Sequence, residues 1–363
     1  MKLKKTLKIS VFVLLALAII LAATLFIARG VNAAASKIDT ENGVQRTEFI
    51  TLGGIEQYIQ IRGKDRDNPV IIFLHGGPGS TVGFMSCHWQ GELEQSYTVV
   101  HWDQRGCANT YFRNETAERP TLELLLSDLD ELVDYARTEF DEDEVVIIGH
   151  SWGTVLGSLY VGKHPEKVSH FVSIGQVVNT MRGEELAMLE AVRLATEAGR
   201  LDDAEKIREN FDSIMSMPEL DIVEFFKLRA LTTAELPAGD ALSQFELTIM
   251  TLFSPDTTRD DLRWFNLAST DFDTYFYSNS QLAAVLFQDG GISIYDYITE
   301  FEVPVTFICG DCDWITPYSE VERYYNDITA PQKEYILLEN LGHSPYLDNP
   351  KLFMPALLEA LAR

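Results

Sequence analysis

Residues 149–153 read Gly-His-Ser-Trp-Gly and lie between a short apolar run, 145–148, and a stretch of helical character, 154–164. A Gly-x-Ser-x-Gly sequence between a strand and a helix predicts a tight turn that lifts the serine hydroxyl above the carboxyl edge of a sheet. The N-terminus of the following helix favours a developing oxyanion. The sequence therefore predicts Ser151 as a nucleophile for acyl transfer, with a purely structural turn serine as the alternative.

The segments around this motif alternate between apolar strands and amphipathic helices. The expected strands are 70–74, 97–102, 145–148, 171–174, 303–309 and 334–338, and the expected helices include 121–140, 154–164, 319–325 and a last one from Pro350. A hairpin around Gly53-Gly54 precedes them. Strands that alternate with helices predict an α/β fold, with a mostly parallel sheet and helices on both faces.

The alternation stops between about residues 178 and 297, where the sequence is helix-rich and has no strong strand pattern. We therefore expect a core formed by residues 37–177 and 298–363 and an inserted helical cap at 178–297. Residues 1–36 form a separate N-terminal segment.

A serine needs a general base, and the fold supplies it after the last strand, in the chain order serine, acid, histidine. Of the seven histidines, His343 in Leu-Gly-His-Ser-Pro has that place. The acid should follow the preceding strand, where Asp311 and Asp313 compete. Asp313 is the preferred candidate because Gly310 and Pro317 place it in a Gly-x-x-Asp-x-x-x-Pro loop. Its task is to orient the imidazole.

Two backbone N–H groups are expected to form the oxyanion hole. One belongs to Trp152, the residue after the nucleophile, and the other to the His-Gly-Gly-Pro-Gly segment at 75–79. Gly77 is the preferred donor there, because glycine allows close approach of the backbone and Pro78 has no N–H.

The N-terminal segment contains a run without charge, residues 9–28, that is long enough to cross a bilayer. Lysines at 2, 4, 5 and 8 should keep the preceding end in the cytoplasm. We expect an uncleaved membrane anchor with the body outside the cytoplasm. Secretion after cleavage near Ala33-Ala34-Ala35 is the alternative.

The net charge of −26 limits the partners. Beyond residue 36 there are 24 Lys and Arg and 55 Asp and Glu, a net charge of −31, which argues against nucleic-acid binding.

Cys309-x-x-Cys312 has redox or metal spacing, but no second cysteine pair or histidine cluster accompanies it, and Cys309 is expected to be a buried strand residue. No metal or organic cofactor is implied, and the sequence does not indicate an oligomeric state.

Three motifs, His-Gly-Gly-Pro-Gly at 75–79, Asp-Gln-Arg-Gly at 103–106 and Gly-His-Ser-Trp-Gly at 149–153, together resemble the proline iminopeptidase family of α/β-hydrolases, peptidase family S33. The resemblance covers roughly residues 45–177 and 298–363. It implies an α/β-hydrolase core, a helical cap and removal of an N-terminal residue from short peptides. It also implies oxyanion roles for Gly77 and Trp152, and a bracing role for Asp103 and Arg105.

The sequence departs from that family in two places. Asp-Gln-Arg-Gly continues with Cys107-Ala108-Asn109-Thr110, where Ser-Gly or Ala-Gly is usual. The Trp-Glu sequence with which family members hold the substrate amine is absent, so substrate-binding residues are not assigned. Weaker candidates are four glutamates and six aromatic residues: Glu184, Glu185, Glu224, Glu246, Trp264, Phe265, Phe272, Tyr275, Phe276 and Tyr277. An aminopeptidase on small peptides is therefore expected first, a carboxylic-ester hydrolase second and a non-catalytic binding module last.

Overall fold

The computed structural model describes residues 2–217, 219, 221–270 and 272–363. The side chains described are those of the same residues apart from 2–9, 11, 268, 269, 272–274, 276 and 277. The candidate pocket residues Phe272, Phe276 and Tyr277 therefore have side chains outside the described set.

The described strands form an eight-stranded sheet in the order β1-β2-β4-β3-β5-β6-β7-β8. β1 and β2 form an antiparallel hairpin, β2 pairs antiparallel with β4, and every pairing from β4 to β8 is parallel. The strands are β1 (Val44–Leu52), β2 (Ile55–Gly63), β3 (Val70–Leu74), β4 (Thr98–Trp102), β5 (Val145–His150), β6 (Val168–Ile174), β7 (Val305–Gly310) and β8 (Lys333–Leu338).

Helices precede, connect and follow these strands. They are α1 (Lys2–Ala35), α2 (Ala108–Arg113), α3 (Leu122–Phe140), α4 (Trp152–Lys163), α5 (Thr180–Glu197), α6 (Leu201–Met215), α7 (Ile222–Glu235), α8 (Gln244–Phe253), α9 (Arg259–Thr270), α10 (Phe272–Phe287), α11 (Tyr318–Asp327), α12 (Pro345–Asp348) and α13 (Pro350–Leu361). Short 3₁₀ helices lie at Gly83–His88, Gln90–Gln95, Pro165–Lys167 and Ile294–Asp296. We call α5–α10, which lie between β6 and β7, the inserted helices.

The core lies on both faces of the sheet, because successive side chains of a strand point to opposite faces. In β3, Ile72 packs in a cluster that contains residues of α3, α4 and α11. The neighbouring Ile71 and Phe73 pack in a second cluster with residues of α13. The predicted α/β architecture, a mostly parallel sheet with helices on both faces, is confirmed.

Local signals explain where the long helix α3 begins and ends. The Thr121 hydroxyl accepts a hydrogen bond from Leu124 N at 3.1 Å, which caps the first turn. Asp141 follows the last turn in the left-handed region, with φ of 56°. Between these ends, apolar residues recur at helical spacing and are buried against the sheet.

The N-terminal helix α1 includes a segment, Phe12–Ala35, that is long and apolar enough to cross a membrane. Its large apolar side chains, such as Phe12, Leu21 and Phe26, are exposed. A signal sequence near the N-terminus can also be long and apolar enough to fit this description, so the feature fits either the anchor or the secretion hypothesis.

Candidate active site

The turn that carries Ser151 has the strained geometry expected of a nucleophile in this position. β5 ends at His150 and α4 begins at Trp152, so Ser151 alone makes the turn, with φ of 53° and ψ of −120°. Its neighbours must be small. A Cβ added at Gly149 would lie 2.5 Å from the carbonyl oxygen of Gly153, and one added at Gly153 would lie 2.1 Å from that of Leu74. The two glycines therefore allow the strand–turn–helix to pack closely.

The structure brings His343 and Asp313 together from two loops that follow the last two strands. His343 Nδ1 and Asp313 Oδ2 are 2.8 Å apart. Since a carboxylate accepts, Nδ1 donates the hydrogen of this bond. His343 and Ser151 line the same cavity.

Asp313 is held as a buried anion. Its carboxylate accepts from Ile315 N and Thr316 N at 2.9 and 3.0 Å and from the Thr316 hydroxyl at 2.7 Å. Burial alone would raise the pKa of Asp313, but His343 and these donors outweigh it and hold the pKa below its ordinary value. Asp311, the rival carboxylate, instead accepts from Asn340 N at 2.7 Å.

His150 connects the nucleophile turn to the His343 loop, a role that the sequence did not indicate. Its Nε2–H donates to the carbonyl oxygen of His343 at 2.8 Å, and its Nδ1 accepts from the Tyr346 hydroxyl at 3.2 Å. Burial, with the nearby His343 adding to it, lowers the pKa of His150 to about 3. The ring is therefore neutral at pH 7 and fixed in one tautomer.

The two expected oxyanion donors also reach this cavity. Gly77 lies in the loop after β3 with φ of 113°, and an added Cβ would lie 2.6 Å from Gly79 N, so this position requires glycine. Trp152 is the first residue of α4, where a backbone N–H has no partner within the helix. Its indole Nε1–H donates to Gln104 Oε1 at 3.2 Å, which ties it to the Asp-Gln-Arg-Gly loop.

A buried ion pair holds the Asp-Gln-Arg-Gly loop in place. The Arg105 guanidinium donates to both oxygens of Asp128 in α3, at 2.8 and 2.9 Å, and to the carbonyl oxygen of Gly53 in the β1–β2 turn at 2.9 Å. Both side chains are buried, with exposed fractions of 4% and 0%. Arg105 therefore joins this loop both to α3 and to the β1–β2 hairpin.

Asn109, which follows the two residues at which the sequence departs from the family pattern, joins the core to the inserted helices. Its side-chain amide donates to Asp103 at 2.9 Å and to Asp261 of α9 at 2.8 Å. Burial, and next the charge of Asp261, raises the pKa of Asp103. The Asn109 amide thus bridges two buried acids.

The cavity has a volume of about 610 Å³ and lies between the triad candidates and the inserted helices. Trp264, Phe265 and Tyr275, three of the aromatic candidates, line it. Trp264 Nε1–H also donates to the carbonyl oxygen of Gly79 at 2.8 Å, so α9 is joined to the glycine loop that carries Gly77.

Of the four candidate glutamates, Glu184 lines the cavity, and it is only 6% exposed. Its carboxylate accepts from Arg229 Nε of α7 at 2.8 Å. Burial raises the pKa of Glu184, and Arg229 partly offsets that shift. Glu185 and Glu224 are bonded to Arg182 and Lys227 on their own helices, and Glu246 is bonded to Ser243, which caps α8.

All four cysteines have free thiols. Cys309 is buried in β7, where burial raises the pKa of its thiol. Cys107 is also buried, and Cys87 and Cys312 are partly exposed.

The fold is that of the α/β-hydrolases, and the model of that fold family matches residues 69–213. The chain is 28% identical to a probable aminopeptidase, YbaC, of Bacillus subtilis (strain 168), over 85% of this chain and 93% of that protein. It is 23% identical to a proline iminopeptidase of Heyndrickxia coagulans, over 80% and 88% of the two chains. The crystal structure of a Mycobacterium smegmatis proline iminopeptidase superposes with a TM-score of 0.60 at 18% identity, over 87% of this chain and 98% of that one.

The resemblance to proline iminopeptidase-like α/β-hydrolases is therefore confirmed, and so is the fold that it implied. These likenesses support a hydrolase.

Proposed function

We propose that this chain is a serine hydrolase in which Ser151, His343 and Asp313 form the catalytic triad, and that it removes the N-terminal residue from short peptides. The observation that carries the proposal is the 2.8 Å hydrogen bond between Asp313 and His343, whose imidazole lines the same cavity as the strained Ser151. The names of the curated relatives, an aminopeptidase and a proline iminopeptidase, support the choice of peptide.

In this mechanism the Ser151 hydroxyl oxygen attacks the carbonyl carbon of the scissile bond while His343 Nε2 takes its proton. The tetrahedral intermediate collapses, the C–N bond breaks and His343 returns the proton to the leaving amine. A water molecule then attacks the acyl-enzyme, giving one proton to His343, which passes it to Ser151 as the ester bond breaks. Asp313 keeps the imidazole in its tautomer and stabilises the imidazolium.

The negative oxygen of the intermediate is stabilised by the backbone N–H groups of Trp152 and Gly77 in this proposal. Both are in the lining of the cavity beside Ser151. Loss of one such donor typically lowers the rate by about 10²–10³-fold.

Glu184 is the candidate for holding the free amine of a peptide, because it is a carboxylate within the cavity. In this proposal the inserted helices belong to a cap formed by residues 178–297, and residues 37–177 and 298–363 form the core. One observation favours the second candidate, a carboxylic-ester hydrolase. Arg229 already pairs with Glu184, which reduces the negative charge that an ammonium group would meet.

A substrate panel separates the two functions. Proline and alanine naphthylamides are compared with short and long acyl esters on the full chain in detergent, with Ser151→Ala as the control. Cleavage of the naphthylamides that is lost in Ser151→Ala supports the aminopeptidase. Brisk ester hydrolysis without naphthylamide cleavage would replace it with the esterase.

We also propose that residues 9–28 anchor the chain in a membrane and that the catalytic body lies outside the cytoplasm. The support is the apolar helix of α1 and the lysines that precede it. Alkaline carbonate extraction of expressing cells and the intact mass of the product test this. A chain that resists extraction at full mass is expected, and a soluble product that begins near Ala34 would favour secretion.

A further inference from the structure

The last turns of α1 are docked on the body through one face of the helix. Arg29 donates to the carbonyl oxygens of Thr257 at 2.6 Å and Pro255 at 3.3 Å, and Asn32 donates to that of Phe253 at 3.0 Å. Phe253 ends α8, and residues 254–258 link α8 to α9. Val31, on another face of α1, is 61% exposed. The helix is therefore attached to the body, because its polar side chains hydrogen-bond to the α8–α9 loop.

The chain just after α1 is fixed to the same loop through a buried arginine. Arg62 donates to the carbonyl oxygen of Ser36, and its guanidinium lies 3.6 Å from Asp256. Arg62 is itself held by the buried Glu94 at 2.6 Å. The helix, the loop and the core are thus joined at one place.

The docked loop is hydrogen-bonded to residues that line the cavity. Thr257 donates to the carbonyl oxygen of Thr251 at 2.6 Å, and Ser254 donates to that of Phe84. Thr251 and Phe84 both line the cavity that contains Ser151, and Leu247 of α8 lines it beside them. A change in the contacts between α1 and the loop is therefore transmitted to the cavity through Thr251 and Phe84.

The docking point lies at the edge of the apolar run. The run ends at residue 28. Arg29 is the next residue, and Asn32 lies about 6 Å beyond residue 28 along the helix axis, at about 1.5 Å per residue. With residues 9–28 in the bilayer, the α8–α9 loop is held at the membrane surface. The cavity rim is apolar as well, because Phe226 and Ile315 line the cavity and are each 49% exposed.

We propose that α1 holds the mouth of the cavity at the bilayer surface, so that the site takes amphiphilic substrates whose hydrocarbon chain remains in or near the membrane. Arg29 is a positioning residue in this arrangement, and it acts through the α8–α9 loop. The inference rests on the proposed nucleophile Ser151 and on the proposed membrane anchor at residues 9–28. It holds for a peptide or an ester, because it concerns the chain attached to the scissile group.

The test uses the full chain in phosphatidylcholine vesicles and two fluorophosphonate probes, one with an ethyl chain and one with a hexadecyl chain. The labelling rates are measured for the wild type, Arg29→Ala and the matched control Val31→Ala, which alters an exposed side chain of the same helix. The hexadecyl probe should react faster than the ethyl probe in the wild type and in Val31→Ala. In Arg29→Ala this advantage should fall about tenfold while the ethyl rate is unchanged.

Two results would overturn the inference: equal rates for the two probes in the wild type, or an unchanged ratio in Arg29→Ala. If Arg29→Ala loses the ethyl reaction too, the milder Asn32→Ala is measured, and an unchanged ratio there is equally contradictory. Failure of the proposed function has a different signature, since neither probe would then label the wild type, or labelling would persist in Ser151→Ala.

Discussion

At the scale of single residues, the choice between Asp311 and Asp313 shows what a sequence pattern can decide. The loop pattern favoured Asp313 because Gly310 and Pro317 are in register with it. In the structure Asp313 faces His343, whereas Asp311 binds the backbone of Asn340. Two residues of spacing in a turn are enough to direct the two carboxylates to different partners.

We expect Asp313→Asn to lower kcat by about 10³–10⁴-fold, because an amide no longer fixes the imidazole tautomer or stabilises the imidazolium. Asp311→Asn is the matched control, since its amide oxygen can still accept from Asn340 N. Steady-state kinetics on whichever substrate the panel identifies will measure both. A larger loss in Asp311→Asn than in Asp313→Asn would remove Asp313 from the triad.

Other residues of the site could not be found from the sequence, because their function depends on distant partners. His150 binds the carbonyl oxygen of His343, 193 residues away, and Asn109 binds Asp261, 152 residues away. Glu184 was one of four candidate glutamates that the sequence could not rank, and the fold distinguishes it by burying it beside Arg229. Local sequence patterns do not predict contacts between residues so far apart. Once the fold is known, a buried polar group that needs a hydrogen-bond partner indicates such a contact.

At the scale of elements, periodicity predicted the core more fully than the connections. The expected helix 121–140 and strand 334–338 differ by one residue from α3 and β8 at one end. The short helix α2, which carries Asn109, had no periodic pattern to indicate it because it has only six residues. Its position depends on Asp103 and α9 and not on its own propensity.

The ion pair between Arg105 and Asp128 gives a prediction at this scale. Arg105→Met leaves a buried carboxylate without its cation, so the free energy of unfolding should fall by about 3–5 kcal/mol. The control is Arg113→Met, which removes an arginine whose pair with Glu56 is about half exposed, at 52% and 49%, and should cost about 0–1 kcal/mol. Thermal unfolding of the two full-length variants in one detergent compares them, and equal losses would contradict the bracing role.

At the scale of the whole molecule, buried histidines make the folded state sensitive to acid. Burial lowers the pKa of His75 to about 4 and that of His101 to about 3. At His101 the positive charges of Arg62 and His75 add to the effect of burial. Between about pH 6.5 and these folded pKa values, an unfolded chain binds a proton at each such residue while the folded chain does not. Each histidine therefore lowers stability as the pH falls through that range.

His101→Gln isolates this effect, since glutamine can keep a polar contact to Gln90 without titrating. From pH 7 to pH 5 the wild type should lose about 2 kcal/mol more of its unfolding free energy than the variant. Denaturant unfolding at the two pH values measures the difference. Equal losses in the two proteins would show that His101 is not held neutral in the fold.

The sequence predicted those parts of the molecule in which a chemical motif and a regular spacing of apolar residues occur together. The strand–turn–helix around Ser151, the parallel sheet and the place of His343 after the last strand all follow from local patterns. The contacts of α1 with the α8–α9 loop did not, because an apolar run indicates a bilayer and says nothing about the polar face that follows it. In our proposal, the contacts between α1 and the α8–α9 loop influence which substrates the cavity binds.

Site mapping by a fluorophosphonate probe is the most direct test of Ser151 as the nucleophile. The full chain is labelled, digested and analysed by mass spectrometry beside Ser151→Ala and His343→Ala. We predict one adduct on Ser151, none in Ser151→Ala and much slower labelling in His343→Ala. An adduct on another residue, or labelling that persists in Ser151→Ala, would contradict the account.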